Sequence, residues 1–512
     1  MFRSAALRRF VSPVTDLALV CLLAALAPRG VVAQEPQPAP GDLRIETRSV
    51  QTADGREIEA DFGRLFVPER RADANSNVIE LAFVRLKSKA PDAGAPVVYV
   101  AGGPGQASTF FAESPQALSG WAALLEAGDV IFLDQRATGA SRPLLRRMAG
   151  RPVPEDAFVD REVALEHAVA VVRDAAEHFR AEGIDLAGYT TVEAADDIDD
   201  LRRALGLERI SLFGFSYGTH LAQATMRRHG EHLENVVLIG VEGLDETFKY
   251  PLNMDTQFRK LADMVARDER VAPHVPDLVA LLERVLERLE REPMVIEITQ
   301  PGTGKAMSVK VGRFGFQMIL RFDIGDASDL SVFPRLLYSI DQGDPTLLQW
   351  FVQKRFPNLL GTNLMSIMTD AASGASPARW AMIRAQAERS LFGDVANFPY
   401  PEVGEAIGAV DLGDVYRAPL VSDVRTLLLT GSLDWNAPPY QAEKLKFGLS
   451  NAIHVSVENA GHEQILRPMG PTIVRFLKGE DVGDVSAALP PLRFVPVEGY
   501  DPEVTHPSVP RP

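Results

Sequence analysis

Apolar residues along this chain fall into short unbroken runs that alternate with stretches of helical spacing. Val97-Val98-Tyr99-Val100, Val130-Ile131-Phe132-Leu133, Ile210 to Phe213 and Val236 to Val241 lack alternating polar positions, which predicts strands buried on both faces. Helical periodicity covers residues 161–182 and 191–205, and a further helix is expected over Pro115 to Glu126. The helix from 191 opens on a capping box, Thr190 with Glu193, and stops at Gly206. Arg64 to Val67 and Val78 to Leu86 read as an antiparallel pair bounded by turn residues. Strands alternating with helices at this spacing predict an α/β fold, a mostly parallel sheet with helices on both faces.

The rhythm breaks after Gly243. Leu278, Leu281, Leu282, Val285, Leu286 and Leu289 mark an amphipathic helix, and Met294 to Thr299 with Ala306 to Val311 form a hairpin pattern joined by Pro301 to Gly304. Gly302-Thr303-Gly304-Lys305 superficially matches a phosphate loop. Thr299, however, stands where that motif needs its first glycine and Ala306 where it needs Ser or Thr, so the stretch reads as a turn. Strand-helix order resumes with Thr426 to Leu429, a helix near 440–449, Ile453 to Val457 and a helix from Pro471 to Leu477. The expected organisation is a leader over 1–33, a linker and lead-in over 34–62, a core over 63–243, a mainly helical inserted cap over 244–410, a second core segment over 411–480, and a Pro-rich tail over 481–512.

Charge and composition narrow the partners. The chain has 512 residues, 46% of them hydrophobic, enough for a full core, and a formal charge of -16 that argues against nucleic acid and anionic membrane surfaces. Arg3, Arg8 and Arg9 precede the apolar run Leu17 to Ala27, and Val31-Val32-Ala33 offers a cleavage site. That order is a secretory signal, too short in its apolar part for a spanning helix, so export to the periplasm or beyond is expected, without stable membrane insertion after cleavage. The lone Cys21 lies inside the leader. The mature chain would then hold neither disulfides nor a cysteine nucleophile.

Ile210-Ser211-Leu212-Phe213-Gly214-Phe215-Ser216-Tyr217-Gly218 is a strand running into a sharp turn and a helix. A serine at such an elbow projects its hydroxyl from the sheet, and Gly214 and Gly218 let strand and helix pass closely. A hydroxyl is a weak nucleophile, so it needs a base and a carboxylate to orient that base. In elbow-bearing sheets these follow in the order acid, then histidine, on loops after late strands. Asp434 and His462 stand there, one helix and one strand apart, while Glu242, at the end of the strand after the elbow, stays open as the acid or as a substrate-binding residue. The oxyanion needs two backbone N–H donors, expected from Tyr217 and Gly103, with Gly102 a near alternative. His462-Glu463 lacks the second histidine of a zinc motif, and no cofactor is expected.

These motifs together resemble the α/β hydrolases of the proline iminopeptidase and tripeptidyl aminopeptidase type. The likeness runs over about 63–243 and 424–477 through Gly102-Gly103-Pro104-Gly105, Asp134-Gln135-Arg136 with Gly139 and Ser141, Tyr189-Thr190-Thr191 leading to Asp197, Leu201 and Arg202, the elbow with Thr219, Asp434 before Pro438-Pro439, and Gly461-His462. The resemblance implies an α/β-hydrolase fold and a cap whose acids bind a substrate ammonium. It differs in Ala101, where the family carries His or Asn, and in Ala137, where it carries Gly; the first change is expected to loosen the brace behind the oxyanion loop. The implied activity is that of a serine hydrolase with Ser216, His462 and Asp434 as triad, an aminopeptidase on short peptides. The alternatives are a carboxylesterase on small esters and a non-catalytic binding protein on a hydrolase scaffold. The oligomeric state is not encoded in any motif.

Overall fold

The computed structural model describes residues 38–148, 150–300, 304–325, 327–356 and 361–498. The expected leader with Cys21, residues 301–303 of the hairpin turn and the last residues of the tail lie outside them. Among the described residues fourteen strands occur: β1 (Leu43–Gln51), β2 (Glu57–Pro68), β3 (Val78–Leu86), β4 (Val97–Val100), β5 (Val130–Leu133), β6 (Arg146–Met148), β7 (Ile210–Phe215), β8 (Leu233–Ile239), β9 (Met294–Thr299), β10 (Ala306–Val311), β11 (Gly361–Asn363), β12 (Arg425–Gly431), β13 (Ala452–Glu458) and β14 (Ala487–Ala488).

Ten of them make one sheet in the order β1-β2-β3-β5-β4-β7-β8-β12-β13-β14. The first pairings, through β3 with β5, are antiparallel, and from β5 onward all are parallel. Side-chain alternation then builds two cores. Val97, Tyr99, Phe132, Phe213, Val237 and Leu427 pack on one face, while Val98, Val100, Ile131, Leu212, Leu238 and Leu428 pack on the other. Because β4 lies between β5 and β7, the chain leaves β4 toward one side and β7 toward the other. A crevice opens at their carboxyl ends, where ligands bind in open α/β sheets.

Two outer strands depart from the sequence reading. β1 and the start of β2 occupy the stretch read as linker and lead-in. Nearly every residue of β1 is exposed, so it carries no apolar alternation and is held by its backbone ladder to β2. At the far edge Ala487 and Ala488 of the Pro-rich tail pair with β13, and Phe494 and Val497 bury themselves among cap side chains.

The insertion is mainly helical, with the β9–β10 hairpin as expected. Its core joins helices Leu252–Arg267, Leu278–Arg291, Arg313–Asp323, Phe333–Asp341 and Thr346–Arg355. Residues between β5 and β7 also reach it: β6 pairs with β11, Phe158 packs in the insertion's core, and the helix Arg161–Ala181 packs on Leu364, Met365 and Met368.

The Asp134-Gln135-Arg136 turn is a structural bracket. Asp134 Oδ1 accepts from the amides of Ser108 (2.6 Å) and Thr109 (3.0 Å), which fixes the loop that follows β4. A Cβ on Gly139 would stand 2.1 Å from Asp134 Oδ2, so no other residue fits there. Arg136 is fully buried and donates to both oxygens of Asp197 at 2.8 and 2.7 Å and to the carbonyl of Glu69 at 2.7 Å. Removing one partner of a buried ion pair strands the other charge. Arg71 Nη2, 2.7 Å from Asp197, compensates in part. The Arg136→Leu variant is therefore expected to lose about 3 kcal/mol of unfolding free energy in urea denaturation; an unchanged midpoint would show that Arg71 alone carries Asp197. Ala137, in the place of a family glycine, holds φ at 59°, a strained value for a residue with a Cβ.

Candidate active site

The elbow is built as its glycines require. Ser216 sits at φ 54° and ψ -124°, outside the favoured regions for a residue with a side chain, directly between β7 and the helix Tyr217–His229. A Cβ on Gly214 would lie 2.5 Å from the carbonyl oxygen of Gly218, and one on Gly218 would lie 2.0 Å from that of Val100. The Ser216 amide donates to Ile239 (2.8 Å), and its carbonyl accepts from the amide and the hydroxyl of Thr219 at 2.8 and 2.7 Å. Strain at this residue is held in place by β8 on one side and the helix on the other.

Asp434 and His462 are brought into contact. His462 Nδ1 donates to Asp434 Oδ2 at 2.6 Å, and Asp434 Oδ1 accepts from the Ala437 amide at 3.1 Å. Both side chains are buried. Burial alone would depress the imidazole's affinity for a proton; the adjacent Asp434 charge and its hydrogen bond outweigh that, and the pKa of His462 is raised from its ordinary value. With Nδ1 donating to the carboxylate, Nε2 is left as the proton acceptor.

Two glycines unforeseen in the sequence frame this imidazole. Gly240, at φ 64° just past β8, leaves room for the ring: a Cβ there would stand 2.7 Å from His462 Cε1. From the cap, the carbonyl of Gly325 accepts the His462 amide at 2.9 Å, so the insertion helps fix the loop that carries the histidine.

Ser216, His462, Gly103 and Glu242 line one cavity of about 460 Å³ between sheet and cap. Gly102 is pressed against the nucleophile's loop, with its virtual Cβ 3.0 Å from Ser216 Cβ. Tyr217 is the first residue of its helix, where amides have no intrahelical acceptor. Behind Ala101 the expected brace is supplied differently: Gln135 Nε2 donates to the Ala101 carbonyl at 2.9 Å. Ser216, Gly103 and the Asp434-bound His462 thus border the same cavity.

Glu242 is not the acid beside His462. Its carboxylate is bound to Lys249, and Oε1 lies 3.9 Å from His220 Nδ1. The cap adds Asp370, whose Oδ2 accepts from the Tyr400 hydroxyl at 3.3 Å. Burial, reinforced by the nearby Glu242 charge, pushes the Asp370 carboxyl up to about 8. Lys249, Arg321 and Arg355 are the cations of the same cavity. These cap residues sit in helices and loops where no motif announces them. Among the described residues no group of three or more His, Cys, Asp or Glu is set to hold a metal ion, and no helix is long and apolar enough to cross a membrane.

Known proteins match in part. A family model described as "alpha/beta hydrolase fold" matches residues 95–290. The tripeptidyl aminopeptidase of Streptomyces coelicolor is 28% identical over 194 residues, 35% of this chain and 34% of the relative. Serine protease Hip1 of Mycobacterium tuberculosis is 26% identical over 195 residues, 35% of each chain. The matched stretches therefore span about a third of these relatives. A solved proline iminopeptidase from Mycobacterium smegmatis superposes on 85% of this chain and 98% of its own at a TM-score of 0.37 and 15% identity. The family match over the nucleophile's strand and helix, together with the sheet order, gives this chain the α/β-hydrolase fold.

Proposed function

We propose that the chain is a serine hydrolase that releases N-terminal residues or short peptides from peptide substrates. Ser216 attacks the scissile carbonyl, His462 takes its proton and later delivers it to the leaving amine, and Asp434 holds the imidazole. The amides of Tyr217 and Gly103 receive the oxyanion. The observation that carries this reading is the cavity in which Ser216 and the Asp434-bound His462 face cap residue Asp370. An ammonium group entering there would find Glu242 already engaged by Lys249. It would instead draw Asp370 into its ionised form, exchanging a proton for the substrate's charge.

Aminoacyl and short peptidyl anilides with a free amino group are expected to exceed their N-acetylated equivalents in kcat/KM by on the order of 100-fold, because the acetyl group leaves Asp370 without its partner. Asp370→Asn is expected to narrow that gap through KM. A carboxylesterase is the second reading, favoured by the apolar faces of Phe215, Phe248 and Trp435 in the same cavity. Turnover of simple esters with equal rates on free and acetylated anilides would decide for it.

A further inference from the structure

A second chamber adjoins the candidate active site. It encloses about 220 Å³ between the helix Arg161–Ala181 and the cap helix Arg313–Asp323, with Phe158, Val172, Phe314, Met318 and Phe398 among its walls. Arg321, Phe322 and Arg355 border both this chamber and the Ser216 cavity. That partition is anchored at its two guanidinium groups. Arg321 Nη1 donates to the Phe398 carbonyl at 2.6 Å, and Arg355 Nε lies 3.1 Å from both oxygens of Asp323. Between them the Phe322 ring has the Arg321 and Arg355 guanidinium carbons at 5.1 and 5.5 Å from its centroid and is 39% exposed. The Phe322 carbonyl accepts from Arg355 Nη2 at 3.1 Å, and its ring has no polar anchor.

Two polar atoms interrupt the apolar wall. His167 Nε2 and Thr362 Oγ1 are buried and meet no hydrogen-bond partner among the described residues, and Thr362 is only 9% exposed. Water in such a chamber would lie against apolar walls at a cost, and a buried polar atom without a protein partner is costly in its own right. One kind of occupant removes both costs: an apolar body with a single hydrogen-bonding group. Apolar cavities of roughly 150 Å³ take a benzene ring, so the larger chamber has room for a ring and its substituent.

We propose that the chamber is a specificity subsite for a hydroxyl-bearing aromatic side chain, of which tyrosine is the model. The ring would pass the Phe322 leaf and lodge against Phe158 and Phe314, with its hydroxyl meeting His167 and Thr362. As a substrate subsite it rests on Ser216 being the nucleophile.

The test uses the native protein and tripeptidyl anilides in which alanine is replaced in turn by phenylalanine or tyrosine at each position, with the corresponding acyl esters in parallel. At one position tyrosine is expected to exceed alanine in kcat/KM by at least about tenfold. Ala168→Phe, which fills the chamber, is expected to abolish that preference while fluorophosphonate labelling of Ser216 continues at the native rate. A flat profile in the native protein, or a preference that survives Ala168→Phe, overturns the proposal. Binding of p-cresol, followed by ligand-observed NMR, reads the chamber without catalysis: it is expected in the native protein and lost in Ala168→Phe, and its absence from the native protein counts against the chamber. Failure of fluorophosphonate labelling with p-cresol still bound would sink the nucleophile assignment and leave the chamber standing. Should Ala168→Phe not fold, His167→Leu decides. Loss of the preference for p-cresol over toluene supports the subsite, and its retention overturns it.

Discussion

Ser216→Ala is expected to abolish covalent labelling by a fluorophosphonate and to lower kcat by on the order of 10⁶-fold, the scale on which nucleophiles of such triads are missed. Binding and the oxyanion donors stay in place, so a residue of about 10³-fold acceleration over water is expected to persist. The elbow makes a second expectation possible. Ser216 is held at φ 54° by β8 and by the packing of Gly214 and Gly218. Alanine inherits that strain and gains no stability from it. Glycine does not, and Ser216→Gly is expected to be as inactive as alanine yet more stable by about 1 kcal/mol in chemical denaturation. Full labelling or turnover in Ser216→Ala would remove Ser216 from the chemistry. A less stable glycine variant would mean that the backbone at the elbow is not strained.

The central sheet is legible in sequence because burial on both faces leaves unbroken apolar runs, and these mark β4, β5, β7 and β8 within two or three residues. The helix from Thr191 is equally plain, since its cap is local: the Thr190 side chain accepts from the Glu193 amide as the capping box predicts. β1 is illegible for the converse reason. An edge strand exposed on both faces is specified by backbone pairing, which leaves no trace in side-chain periodicity. The excursion between β5 and β7 misleads in another way. Its helices are periodic, but periodicity does not say whether the apolar stripe meets the sheet or, as Phe158 and Val172 do, the cap's side.

The candidate site divides along the same line. Ser216, Asp434 and His462 are legible because each ends a strand in a turn of special composition, and strand ends share an edge of the sheet. Gly240 carries a usable signal, a glycine immediately after a strand beside the elbow, which marks close approach by another side chain. Asp370, Lys249 and Arg321 carry none. They are single charged residues in a helical insertion, and only tertiary packing brings them to Ser216. Even the family motifs divide in two. Asp134, Arg136 and Gly139 tie down loops and do not line the Ser216 cavity.

Asp434→Asn is expected to cost about 10⁴-fold in kcat and to move the acid limb of the kcat/KM profile downward. The base must be neutral to accept the Ser216 proton. His462, although buried, has its pKa raised by the Asp434 charge and hydrogen bond, so native activity should fall as pH drops through a value above 6.5, the ordinary position of an imidazole. Asparagine removes the charge and leaves burial, which favours the neutral ring; the limb then shifts below that ordinary position while the ring loses its fixed tautomer. Stability follows with the sign of a raised pKa. The pair's contribution is fully present below the unfolded histidine pKa and is lost as pH rises through the folded one, down to the range where carboxylates themselves protonate. Native protein should accordingly out-melt Asp434→Asn by more at pH 5.5 than at pH 8.5. An acid limb that stays in place in Asp434→Asn, or a stability gap that widens toward alkaline pH, would show that the carboxylate coupled to His462 is not the one bonded to its Nδ1.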